Sequence, residues 1–226
     1  MKSTSFKTIT LLTVAITLIV AACKKKDYYM DGGLSQQSDA EKNMTTYDFL
    51  ASRPNHVFDS LVKVIDLANA KDLVNQANIT FFASPNDAIM RFQRRFTPSD
   101  RQAPRPLAKI GVDTLRMLLK RFIIPGNRVT LEQAVVDKLK YYKDNNGDSL
   151  NVYGRGGGIN AGSSIQTSAY YMDYEHRKIK NVDSINYTSS IQTHNLITSN
   201  ARVHVLNRNG NFSAGLKLKY FRVSDN

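Results

Sequence analysis

The chain has no tryptophan and only one cysteine, Cys23, in 226 residues. A lone thiol cannot close an internal disulfide, so a cystine-stapled scaffold is excluded. There are four histidines, His56, His176, His194 and His204, and none belongs to an H-E-x-x-H pair. That removes the commonest helical zinc-hydrolase signature. No G-x-S-x-G elbow occurs, which removes the usual strand-to-helix serine nucleophile. Residues 155–158 are an arginine and three glycines, followed by neither G-K-[ST] nor a helix signal, so they form no phosphate cradle. Acidic residues are in deficit, 19 against 31 Lys and Arg, for a formal charge of +12. Such a surface favours anionic partners: nucleic acid, acidic glycan or a membrane. What is present reads as globular, with 42% hydrophobic and 22% charged residues. The length suits one generous domain.

The single cysteine has a telling position. Lys2 and Lys7 precede an almost wholly apolar run over residues 9–22, too short for a comfortable membrane span. Val20, Ala21, Ala22 and Cys23 follow one another at its end. This resembles the lipobox of a bacterial lipoprotein signal peptide. The resemblance implies cleavage of residues 1–22 and acylation of Cys23, making the thiol an anchor to the membrane. More than one acyl chain gives stable anchoring. Cleavage removes only Lys2 and Lys7 among charged residues, so the basic character belongs to the remainder. Residues 23–44 are rich in Gly, Ser, Gln and charge, and read as a flexible tether.

A single domain is expected over residues 45–226. Thr45 or Thr46 can cap a first helix carrying Tyr47, Phe49 and Leu50, which stops at Pro54. Phe58, Leu61, Val62, Ile65 and Leu67 then recur at amphipathic helical spacing. The stretch NITFFASPNDAIMRF, residues 78–92, reads as a β-branched and aromatic strand feeding a capped helix. Ser84 is the expected cap, Pro85 the first helical residue and Asp87 the capping-box acid. Ala88, Ile89 and Phe92 share the apolar face.

This stretch resembles the first signature of the fasciclin (FAS1) domain. The matching residues are Phe82, Ala83, Ser84, Pro85, Asn86, Asp87, Ala88 and Ile89. DTLRMLLKRFIIPGNRV, residues 113–129, is similar to the family's central helix and its following strand and Pro-Gly turn. NLITSNARVHVLNR, residues 195–208, is similar to the second signature through Asn200, Val203, His204, Val205 and Leu206. The resemblance spans residues 45–212. It implies an α+β fold, a wedge or sandwich of strands with several helices on one side. It also implies a non-enzymatic adhesion or ligand-binding module. The family's central helix often ends in a Tyr-His pair associated with receptor binding. Arg121 and Phe122 stand there instead, so that role is not carried over.

Between the signatures, KLKYYKDNNGDSLNVYG predicts a hairpin with its turn at residues 145–148 and alternation of Leu139 and Tyr141, then Leu150 and Val152. SSIQT occurs twice, at 163–167 and 189–193, which two strands of similar alternation explain. AYYMDYEHRKIKN, residues 169–181, looks longer than the family's usual connection. Tyr170, Tyr171 and Tyr174 with Arg177, Lys178 and Lys180 form a candidate glycan site, since aromatic faces stack on sugars and cations pair with acidic groups. The alternative is a surface hairpin whose tyrosines pack on the sheet. Arg91, Arg94, Arg95, Arg101, Arg105 and Lys109 make a second basic cluster. An exported lipoprotein seldom meets nucleic acid, so an acidic polysaccharide or plain solvation fits better. No catalytic residue, metal ligand or cofactor is expected. The reading is a lipid-anchored module at the outer membrane of a Gram-negative bacterium, periplasmic or surface-exposed, binding a glycan or a surface protein. The alternative is an accessory subunit of an outer-membrane polysaccharide-uptake complex, partnered with a transporter.

Overall fold

Helices come first, and the first two starts have identifiable caps. The computed structural model describes residues 37–97, 102–137, 139–156 and 170–221. Cys23, its preceding apolar run, most of the tether, Arg101 and the first SSIQT copy lie outside the described residues. Helix α1 (Asp39–Lys42) is capped reciprocally by Ser38 and Glu41. Helix α2 (Thr46–Ala51) is capped by Thr45, whose Oγ1 accepts from the Asp48 N–H at 3.2 Å. Helix α3 (Asp59–Leu67) follows a short 3-10 turn, Pro54–His56, and buries Leu61, Val64 and Ile65. Helix α4 (Lys71–Val74) completes the group.

The folded chain begins before Thr45. The Gln37 side chain donates to the Ile197 carbonyl at 2.9 Å and accepts from its N–H at 2.6 Å. Residues 37–44, expected as tether, are therefore tied to a strand far along the chain. Polar composition hid this, because a polar side chain bonded to a strand backbone holds the segment and α1 buries no residue.

Strand β1 (Ile79–Ala83) is buried at all five positions. Helix α5 (Asn86–Arg95) follows, burying Ala88, Ile89 and Phe92 as their spacing predicts. Its start differs from expectation. Pro85 occupies the N-cap, no side chain caps it, and Ser84 is buried at the strand end. The helix begins one residue late, which leaves Ser84 and Asp87 out of capping register. Helix α6 (Val112–Arg121) runs into the short strand β2 (Ile123–Ile124). Helix α7 (Leu131–Val136) carries a capping box between Thr130 and Gln133.

Strands β3 (Tyr141–Lys143), β4 (Ser149–Gly156), β5 (Tyr170–His176), β6 (Tyr187–Ile197) and β7 (Ala201–Leu206) complete a seven-stranded sheet in the order β2-β1-β7-β6-β5-β4-β3. Only β1 and β7 pair parallel; the other neighbours are antiparallel. The α+β class holds. The expected wedge or sandwich is one hydrogen-bonded sheet among the described residues. Its halves are joined in β6, whose residues 187–190 pair with β5 and 191–197 with β7. The register of β6 shifts between Ile191 and Leu196, and such irregularities bend a strand.

The predicted hairpin is β3–β4, with Tyr142 opposite Leu150. On β4 Leu150 and Val152 are buried as expected, but the phase of β3 is off by one residue: Tyr142 is buried, while Tyr141 is 44% and Leu139 86% exposed. Gly147 makes the turn at φ 86°, a left-handed conformation that favours glycine. Gly154 allows α7 to close on the sheet, since a Cβ there would lie 2.3 Å from Val135 Cγ2. Residues 170–176, expected as part of a surface insertion, are a central strand between β4 and β6.

Candidate functional site

The two signatures meet in the middle of the molecule. Phe82 on β1 is the register partner of His204 on β7, and their rings stack at 5.6 Å. The His204 Nε2–H donates to the Val129 carbonyl at 2.9 Å, and Nδ1 accepts from the Asn195 N–H at 3.2 Å. Complete burial pushes this imidazole down to about 3, so it is neutral at ordinary pH. Ala83 and Pro85 are buried alongside.

The signature asparagines act as clamps. Asn200 Oδ1 accepts from the Thr46 N–H at 2.8 Å, and its Nδ2 donates to the Val74 and Gln76 carbonyls at 3.0 and 2.9 Å. It thus satisfies the start of α2 and the end of α4 together. Asn86 supplies the cap that α3 lacks: its Oδ1 accepts from the Ser60 N–H at 2.8 Å, while Nδ2 donates to the His56 carbonyl at 2.6 Å. Asp87 is exposed in the first turn of α5, where negative charge complements the helix dipole. These residues hold the fold; nothing about them presents a reactive face.

The candidate glycan residues divide. Tyr174 is excluded by burial. It is 0% exposed and its hydroxyl donates to the Arg121 carbonyl at 2.8 Å. Its ring lies 4.9 Å from Phe82 and 5.8 Å from Phe122, and burial pushes the phenol well up. Tyr170 and Tyr171 are the first positions of β5, paired with Gly156 and Arg155; their side chains lie outside the described set. Arg177, Lys178 and Lys180 are exposed just beyond β5. Arg177 sits over the Tyr141 ring at 4.2 Å and donates to its hydroxyl at 2.6 Å. Tyr141 was not among the predicted site residues, because only the pairing of β3, β4 and β5 brings it to Arg177. The result is an exposed aromatic–cationic platform at the end of β5, beside the β3–β4 hairpin. The second basic cluster is partly absorbed by the fold, with Arg105 8% exposed and Arg95 donating to Ser213 Oγ at 3.3 Å.

Beneath the platform lies a buried polar cluster. In the β3–β4 turn, Asp144 Oδ1 accepts from the Asn146 and Asp148 N–H groups, both at 2.8 Å. Asp144 Oδ2 meets His176 Nε2 at 3.2 Å. The turn docks on α6 through the Asn145 N–H and Asn146 side chain, which donate to the Lys120 and Met117 carbonyls at 3.1 Å each. Burial and the neighbouring Asp144 push the Asp148 carboxyl up. Close by, Arg121 donates to Asp183 at 2.8 Å, both side chains 1% exposed, and to the Ala214 carbonyl at 3.0 Å. Asp144 and His176 form a carboxylate–imidazole dyad. Among the described residues no hydroxyl or thiol is bonded to that imidazole, so the dyad lacks a nucleophile to activate.

No family model matches the chain, and no curated protein matches it. Among solved structures it is similar to a FAS1 domain pair from the insect cell adhesion molecule fasciclin I, at 17% identity and a TM-score of 0.47. The match covers 69% of this chain and 45% of that one, so the chain spans less than half the length of that structure.

Proposed function

We propose that the protein is a FAS1-type binding module, non-enzymatic, that acts in adhesion or ligand capture at the cell envelope. The observation that carries this reading is internal to the chain. Two stretches that resemble the family's two signatures lie far apart in sequence, yet pair as β1 and β7 with Phe82 stacked on His204. The signature residues serve packing and capping, which leaves recognition to exposed surface. The Tyr141–Arg177 pair with Lys178 and Lys180 is the surface best suited to it. An aromatic face with flanking cations suits an acidic glycan, with stacking and charge acting together. Cys23, acylated, would hold the domain at the outer membrane.

The test is protease shaving of intact cells, read by blotting against the domain with a periplasmic control, beside binding of the purified chain to anionic polysaccharide. Loss of the domain on shaving, with saturable polysaccharide binding, is the expected result. Full protection would sink surface adhesion. The second reading, an accessory subunit of an outer-membrane polysaccharide-uptake complex, rests on the same platform and predicts co-purification with a transporter. Release of products from polysaccharide would contradict both.

A further inference from the structure

The carboxylates of Asp144 and Asp148 and the imidazole of His176 bring one ligand atom each to within 4.8 Å of one another. Clusters of this kind are common where the groups are exposed. Here His176 and Asp144 side chains are 1% and 0% exposed, and Asp148 is half-buried. Two carboxylates drawn together out of water need a counter-charge. The nearest described guanidinium, Arg121, is bonded to Asp183. A second observation concerns His176 itself. Its Nδ1 is buried without a hydrogen-bond partner, so Nε2 alone anchors the ring. His204 has a backbone partner on each ring nitrogen, whereas His176 is fixed by the bond to Asp144 alone, the bond that coordination through Nε2 would replace. His194 also has unpartnered ring nitrogens, but it belongs to no such cluster.

We infer that Asp144, Asp148 and His176 form a binding site for a divalent transition cation of the Zn2+ or Mn2+ kind. The donor set decides the class. Imidazole suits Zn2+, and Mn2+ is favoured by the two carboxylates, whereas Ca2+ and Mg2+ favour all-oxygen shells. Ligand atoms about 2.1 Å from a metal lie ~4.2 Å apart when opposite and ~3.4 Å apart in a tetrahedron, so closure draws the widest pair in by about 0.6 Å in the first case and about 1.4 Å in the second. The 3.2 Å between His176 Nε2 and Asp144 Oδ2 corresponds to an angle of about 100° at such an ion, that of adjacent ligands. Coordination replaces the hydrogen bond between them, with the imidazole neutral and its Nε2 lone pair on the metal. Half-buried Asp148 leaves a side open for water to complete the shell. The bound ion would join the β3–β4 turn to the end of β5, one residue before Arg177.

The experiment is calorimetric titration of the untagged, chelator-treated full-length chain with ZnCl2, MnCl2 and CaCl2. The expected result is one site for Zn2+ or Mn2+ and at least tenfold weaker binding of Ca2+. Asp148→Asn, a half-exposed and near-isosteric change, should weaken the transition ion at least tenfold with the melting temperature of the metal-free chain unchanged. His176→Gln should weaken the transition ion likewise, with the folded fraction checked by circular dichroism because the side chain is buried. His56→Ala removes the exposed His56–Asp59 pair and should leave the affinity as it was. Absence of stoichiometric binding would overturn the proposal. So would binding lost in His56→Ala, or binding indifferent to both Asp148→Asn and His176→Gln.

Discussion

His204 and His176 are both buried histidines at strand positions, 0% and 1% exposed, yet they occupy opposite kinds of environment. His204 has a backbone partner on each ring nitrogen and an aromatic ring against its face. It is a finished piece of core. His176 is held by one carboxylate, lies beside a second and keeps one nitrogen unpartnered. It stands at the edge of the core, immediately before exposed Arg177. The signature side chains His204, Asn86 and Asn200 are consumed by the fold, whereas His176 at the β3–β5 end keeps a ring nitrogen unpartnered.

That contrast can be tested by breaking each side in turn. The largest effect is expected between the two regions, at the buried Arg121–Asp183 pair. Arg121→Met strands the Asp183 carboxylate and should cost about 3–5 kcal/mol in urea unfolding. Replacing both partners by apolar residues should recover most of it. Next is acid lability at the centre. His204 is neutral when folded, with its value near 3, and takes a proton near 6.5 when unfolded. The unfolded state therefore binds more protons as pH falls, and stability should decline by roughly 1.4 kcal/mol per pH unit between 6.5 and 3. From pH 6.5 to 4.5 that is roughly 2–3 kcal/mol. His204→Gln should flatten this slope, read from urea midpoints across the pH series. Asn200→Ala removes the clamp on α2 and α4 and should cost about 1–3 kcal/mol. The smallest stability effect is at the platform. Tyr141→Ala with Arg177→Ala should shift stability by less than about 1 kcal/mol, because their cation–π contact and hydrogen bond are solvent-exposed.

The sequence was legible where apolar periodicity was local. Helices α3, α5 and α6, strand β1 and the β3–β4 hairpin follow from spacing and turn chemistry within a dozen residues. It was opaque where a partner lies far away. Asn86 caps α3 from the start of α5, and Gln37 reaches Ile197; no local pattern announces either. Strand β5 looked like surface because YYMDYEH mixes acids with tyrosines. Tertiary pairing buries Met172, Tyr174 and His176 on the inner face, and Asp173 is covered as well. The Ser84 cap failed by one residue, the usual scale of error at a helix start. At the candidate site, Arg177, Lys178 and Lys180 were visible as exposed charge after a tyrosine-rich run. Their aromatic partner was not, because Tyr141 joins Arg177 only across three strands.

The proposed function places recognition at the β3–β5 end and not at the signature centre. The most direct test is binding of an anionic polysaccharide to the wild-type chain, to Tyr141→Ala/Arg177→Ala and to His204→Gln, at neutral pH with the folded fraction checked by circular dichroism. The account predicts that the platform variant loses at least tenfold in affinity while His204→Gln binds as the wild type does. Unchanged binding by the platform variant, or loss confined to a fully folded His204→Gln, would contradict it.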